Sequence, residues 1–170
     1  VAFDSAWNVV SGNTLKVASG QIEVEIEATA ASAAGFSTVA ADLLMDHVFL
    51  NDVWATPSAD VHFGLTTATM ADASTLASIT EASGTGYARK PVPASSFDAA
   101  ASGANVTNTD VDFAIPSADL GTITSLFICN VLSGTSGILI AYDNSHIIDQ
   151  PVNADDEVVV EAGSFTATLN

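Results

Sequence analysis

The sequence predicts a mostly β fold, an antiparallel β-sandwich or flattened barrel with one α-helix in its N-terminal half. Three observations predict it. Short apolar stretches recur between clusters of Gly, Ser, Asn and Pro, enough for about seven to nine strands. One stretch only, residues 39–50, carries apolar residues at helical spacing behind a capping residue. With 48% hydrophobic and 14% charged residues over 170 positions, the chain is too apolar for disorder and long enough to bury one core.

In chain order, residues 1–13 are mixed, with Phe3 and Trp7 as aromatic anchors and a turn at Ser11-Gly12-Asn13. Residues 14–18 and 21–28 flank Ser19-Gly20 and read as a hairpin. Ile22, Val24 and Ile26 alternate with Glu23, Glu25 and Glu27, which is the period of a half-buried strand. The glutamate row is a solvated face that guards an edge rather than a cation site. Residues 29–35 are small and polar and read as a linker, so residues 1–35 form an N-terminal arm and 36–170 the sandwich domain.

Ser37 or Thr38 is the expected N-cap of the helix. Its stripe is Leu43, Leu44, His47, Val48 and Leu50, with Asp42 and Asp46 in the half that the helix dipole favours for anions. His47 is read as a partly buried surface residue rather than a ligand. Asn51-Asp52 ends the helix and Thr56-Pro57-Ser58 is a loop. Residues 61–66 alternate, which turns Val61, Phe63 and Leu65 inward. Residues 67–83 are rich in Ala, Ser and Thr, with a short helical turn near 74–79.

Residues 95–104 read as a loop and 106–113 as one strand with Val111 and Phe113 inward. The most apolar segment follows: 123–132 and 138–142 form a hairpin around Ser133-Gly134-Thr135-Ser136-Gly137, and being apolar on both faces these strands belong at the centre. Residues 150–152 open another strand. Residues 157–161 and 164–169 read as a terminal hairpin around Ala162-Gly163.

The net charge is −17, from 20 acids against Lys16, Arg89 and Lys90. Such a chain repels nucleic-acid phosphates and anionic membrane surfaces, so neither is an expected partner. No apolar run approaches the ~20 residues of a membrane-spanning helix. Fourteen of the acids are Asp, a surface that stays soluble where salt screens its self-repulsion and that resembles the composition of high-salt proteins. Cys129 is the only cysteine, so no intrachain disulfide forms, and its apolar surroundings make it a buried, inert thiol.

Catalytic and cofactor motifs are missing. The chain has neither a phosphate loop nor a dinucleotide fingerprint. Gly134-Thr135-Ser136-Gly137 is one residue short of a nucleophile elbow and joins two strands. His47, His62 and His146 lack the close partners of a zinc site, and 149–157 lacks calcium-loop spacing. Asn105-Val106-Thr107 matches a glycosylation acceptor at chance level. No catalytic residue, cofactor or metal ligand is therefore assigned.

What stands out is the stretch Gly84-Thr85-Gly86-Tyr87-Ala88-Arg89-Lys90-Pro91-Val92, with two of the three cations and a Gly-x-Gly hinge. Arg89 can bind a carboxylate through two parallel bonds, expected from a local Asp or a neighbouring subunit. Tyr87 packs its ring and satisfies its hydroxyl nearby. Gly86, Tyr87 and Arg89 are read as an internal strap or a subunit contact, and Lys90 as solvent-facing.

The order of these elements from residue 36 onward resembles a family of small virion proteins of tailed phages, the tail-fibre or tail proteins. The matching pieces are the helix Ala40-Ala41-Asp42-Leu43-Leu44-Met45-Asp46-His47-Val48-Phe49 and the strand Val61-His62-Phe63-Gly64-Leu65-Thr66-Thr67. Gly86-Tyr87-Ala88-Arg89 is the core of the family pattern. Leu120-Gly121-Thr122-Ile123-Thr124-Ser125-Leu126-Phe127-Ile128 resembles its WGTVTHFGI run, and residues 151–158 its KTVNAGDTL run. Leu120 replaces the usual Trp, and Asp156 is read as standing where Gly would be.

The resemblance implies a non-enzymatic virion protein on the exterior of the particle, self-assembling and attached to other virion proteins of capsid or tail. The acidic composition adds a saline host. The alternatives are an extracellular adhesin or cation-dependent binding module, and, more remotely, a glycan hydrolase with two facing carboxylates.

Overall fold

The computed structural model describes residues 2–3, 9–11, 15–18, 21–24, 34–50, 60–101, 104–145 and 149–168. Trp7, the 12–13 turn, Glu25 to Glu27, residues 51–58 and His146 lie outside them. Contacts divide the chain into two units, Val1–Ala31 and Ser32–Asn170. In the first, β1 (Ala2–Phe3) pairs antiparallel with β2 (Val9–Ser11), and β3 (Leu15–Ala18) with β4 (Gln21–Val24). Ala18 faces Gln21 across the two residues Ser19-Gly20, the hairpin expected there.

The second unit is an antiparallel two-layer β structure. Its main sheet has the order β5 (Ala34–Phe36), β12 (Leu139–Asp143), β11 (Ser125–Cys129), β6 (Asp60–Thr66), β7 (Lys90–Pro93). β5 begins inside the stretch expected as linker, because its backbone completes the free edge of β12 at Ala141, Tyr142 and Asp143. β11 is buried at every position and central, as its two apolar faces require.

The second layer consists of ribbons: β10 (Gly121–Ile123) with β13 (Gln150–Val152), β9 (Val111–Asp112) with β14 (Val159–Val160), and β8 (Ala104–Val106) with β15 (Thr166–Thr168). Two sequence expectations fail here. The apolar run from 123 splits at Thr124: Ile123 joins β10 and Ser125 starts β11 in the other layer. The C-terminal strands do not form a hairpin with each other. They run antiparallel along 104–113 instead. That stretch is itself two strands, interrupted where Asp110 accepts the Ala162 amide at 2.8 Å and Gly163 donates to the Thr107 carbonyl at 2.7 Å.

One face of the main sheet presents Phe63, Leu65, Leu126, Ile128 and Val92 to Val111, Phe113, Ile123, Val152 and Phe165 of the second layer. Burying each such side chain stabilises the fold by roughly 1.5–3 kcal/mol before entropy is set against it. The opposite face carries Phe127, Cys129, Leu139 and Tyr142, covered by Met70, Leu76 and Ile79 of the segment after β6. A bulge in β12 between the partners of Ile128 and Cys129 brings Leu139 and Tyr142 to this face together. Asn144 fixes the covering segment: it donates to the Met70 carbonyl (2.9 Å) and accepts from the Met70 amide (3.0 Å). At 75–79 that segment makes only a single turn, with the Ile79 amide on the Thr75 carbonyl.

The helix α1 (Thr38–Phe49) is capped by Ser37, whose oxygen accepts from the Ala40 amide and whose hydroxyl donates to the Leu139 carbonyl of β12. Its orientation differs from the expected one. Ala40 is buried and Leu43 and Leu44 are half-buried, but Met45, Val48, Phe49 and Leu50 are 55, 62, 72 and 69% exposed. His47 is exposed. Val48 and Leu50, expected on the inner stripe, therefore lie outside it. Ser37 is tied to β12, and the helix meets that strand with its narrow Ala40 side, leaving the wider apolar arc outward.

The left-handed backbone near residue 155 falls on Asp155 (φ 68°), so Asp155 and not Asp156 occupies the position where a glycine would serve. Asp156 instead accepts the Asn153 amide at 2.7 Å.

Candidate functional site

The stretch from Gly84 folds back over the main sheet where β7 stops. β7 pairs with β6 only as far as Lys90 opposite Phe63. Beyond that the β6 edge would be open at Leu65 and Thr66. Three local bonds close it. The Tyr87 hydroxyl accepts the Leu65 amide (2.9 Å), the Ala82 amide donates to the Leu65 carbonyl (2.8 Å), and the Thr67 amide donates to the Thr80 carbonyl (3.0 Å), the last two framing the Thr66–Glu81 bridge.

This brings Glu81, Tyr87 and Arg89 together. Arg89 has a 2%-exposed side chain and Glu81 a 27%-exposed one. Arg89 donates Nε to Glu81 Oε1 (2.8 Å) and Nη2 to Glu81 Oε2 (2.7 Å), a bidentate pair. The remaining N–H groups go to the Gly134 carbonyl (3.0 Å), the Val131 carbonyl (3.1 Å) and Cys129 Sγ (3.5 Å). All five guanidinium donors thus have partners, the condition under which burying the charge is tolerated. The Tyr87 hydroxyl donates to Glu81 Oε1 at 3.2 Å. The carboxylate expected from a local Asp or a neighbouring subunit is instead Glu81 of the same chain, the only acid between Asp72 and Asp98. Lys90, expected in solvent, is half-buried on β7 opposite Phe63.

Packing fixes the cluster from both sides. The Arg89 guanidinium carbon lies 5.3 Å from the centre of the Phe127 ring, within cation–π range. That ring lies across Gly64 of β6, where an added Cβ would come 2.2 Å from Phe127 Cζ. The Tyr87 ring stacks on Phe113 at 6.4 Å and 12°. Gly86 has φ 96° and sits against the backbone of 115–117, so a side chain there meets both strain and contact.

The electrostatics follow burial. Burial pushes the Tyr87 hydroxyl well above its usual range, with the Glu81 charge adding to it. Burial likewise raises the Cys129 thiol. For Arg89 burial works against the charge and is the largest single influence, but the Glu81 hydrogen bonds together with the charge interactions of Cys129, Glu81 and Tyr87 outweigh it and the pKa is raised. His62 sits across β6 from Cys129, is 6% exposed, and its Nδ1 has no hydrogen-bond partner. Burial lowers its pKa; the Asp60 charge acts the other way and Arg89 reinforces the lowering.

Gly86, Tyr87 and Arg89 are therefore brought to one place. Glu81, Phe127, Gly64 and the carbonyls of Val131 and Gly134 were missed by sequence reasoning. The isolation of Glu81 among neutral residues was the available signal for it. Among the described residues no three His, Cys, Asp or Glu side chains are grouped to hold a metal ion. No helix there is long and apolar enough to cross a membrane.

The fold and this cluster define a β-rich module whose most connected polar group ties strands together. The model of one family, described as Podophage GP4 fiber I protein gp80, matches residues 35–168. The chain belongs to this family of phage fibre proteins, and is a structural protein of a tailed phage on the exterior of the virion. No curated protein matches the chain.

Proposed function

We propose that the protein is a non-enzymatic fibre component that works by assembling with copies of itself and attaching to other virion proteins. The observation that carries this reading is the outward apolar arc of α1. Met45, Val48, Phe49 and Leu50 are more than half exposed, a cost in water that a subunit contact removes. Asp42 and Asp46 lie within one turn of Met45, Phe49 and Leu50, so in a chain with net charge −17 this contact relies on salt to screen the carboxylates beside it. Tyr87, Arg89 and Gly86 serve inside the subunit, holding the covering segment to the main sheet. The first unit, Val1–Ala31, acts as an arm that pairs with a neighbouring chain, while β5 stays in its own main sheet. The acid-rich surface suits a saline host and repels nucleic acid and anionic membranes.

The test is the mass of the full chain in solution. Size-exclusion chromatography with light scattering is expected to give a symmetric oligomer. Phe49→Asp with Val48→Asp is expected to give a monomer with an unchanged far-UV spectrum. A monomeric parent chain, or an oligomer unaffected by both substitutions, contradicts the reading.

A further inference from the structure

The second layer is not closed. β13 pairs with β10 and β14 pairs with β9, and no ladder joins β13 to β14. A cleft of about 480 Å³ lies between them, lined by the whole of both strands. Its floor is the core itself: Ile123, Leu126 and Phe165 are buried. Its rim carries Asp156, Glu157 and Glu161, and no lining residue is cationic. The unit's own cations lie elsewhere, Arg89 bound to Glu81 and Lys90 on β7. Asp156 is held in place by the Asn153 amide and side chain, at 2.7 and 3.1 Å.

We propose that this cleft binds an extended segment of a partner protein in which lysine or arginine alternates with an apolar residue. Among the described residues each wall has a ladder on one side only, the arrangement to which an extended backbone adds, though Pro151 offers it no amide donor in β13. In such a segment successive side chains point to opposite faces. One set then enters the apolar floor and the other meets the carboxylate rim. Volume and lining match a site for a few residues of chain. An acidic segment is repelled by the rim, and a purely basic one leaves the floor unfilled.

The proposal stands on the cleft and not on the oligomer reading, so each can fail alone. The probe is the peptide acetyl-KVKVK-amide, titrated into the full chain at 150 mM salt by calorimetry and amide NMR. Expected are binding at least tenfold tighter than acetyl-EVEVE-amide and pentalysine, and shifts centred on residues 150–152 and 157–161. Glu157→Lys with Glu161→Lys is expected to weaken binding at least tenfold, and the milder Glu157→Gln with Glu161→Gln to weaken it less. Phe49→Asp should leave it unchanged. Equal binding of pentalysine would mean charge attraction alone and overturn the proposal. So would equal binding of the acidic peptide, no binding, or indifference to the rim substitutions.

Discussion

Glu81 and Glu157 are both glutamates beside the same sandwich, and their surroundings are opposite. Glu81 faces a buried guanidinium whose five donors are all used, and it also accepts from Tyr87. Glu157 stands at the rim of a cleft with Asp156 and Glu161 and with no cation among its lining residues. The first carboxylate is a component of the fold. The second contributes to an outward field. Arg89 makes Glu81 structural through an ion pair, where Asp110 and Asp119 are held by backbone amides instead.

The contrast can be broken most strongly at Arg89. Removing one partner of a buried ion pair strands the other charge and costs roughly 3–5 kcal/mol. Arg89→Met is therefore expected to lower the urea midpoint severely or unfold the second unit. An exposed carboxylate away from such partners changes stability by no more than about 0.5 kcal/mol, which is the expectation for Glu157→Gln. Equal effects of the two substitutions would erase the distinction drawn between the two regions.

A smaller effect is expected from His62, on the same face as Cys129 and close to Arg89 and Asp60. Its folded pKa lies below the ordinary 6.5, because burial penalises the charged imidazole. The unfolded chain thus binds the proton more readily. The contribution of His62 to stability is complete above about pH 6.5 and is lost as pH falls below it toward the folded value. His62→Gln should flatten that part of the stability profile relative to the parent. Parallel profiles between about pH 7.5 and 5.5 would contradict the assignment.

Local pattern made much of this fold legible. The alternation of Phe63 and Leu65, the Ser37 cap, the two-faced apolarity of 125–129 and the Gly-bounded loop after it each report a neighbourhood of a few residues. Partner choice is a different kind of information. Nothing local says that 166–168 pairs with 104–106 and not with 159–160, or that Thr124 sends Ile123 to a different layer from Ser125. The outward turn of α1 was illegible for a related reason: a helical stripe is visible in sequence, but which arc meets the sheet is set by Ser37 on β12. At the Arg89 cluster, charge and the Gly-x-Gly hinge marked Gly86, Tyr87 and Arg89. The carbonyls of Val131 and Gly134 carry no sequence mark, since every residue has one. The fit of Phe127 over Gly64 exists only once the β6–β11 register is set.

The most direct test of the account is a double-mutant cycle on Glu81 and Arg89, read by urea unfolding of Glu81→Gln, Arg89→Met and the double variant. A structural pair predicts two costly single substitutions and a double that costs little more than the worse single, a coupling of at least about 2 kcal/mol. Additive effects, with coupling below about 0.5 kcal/mol, would contradict it.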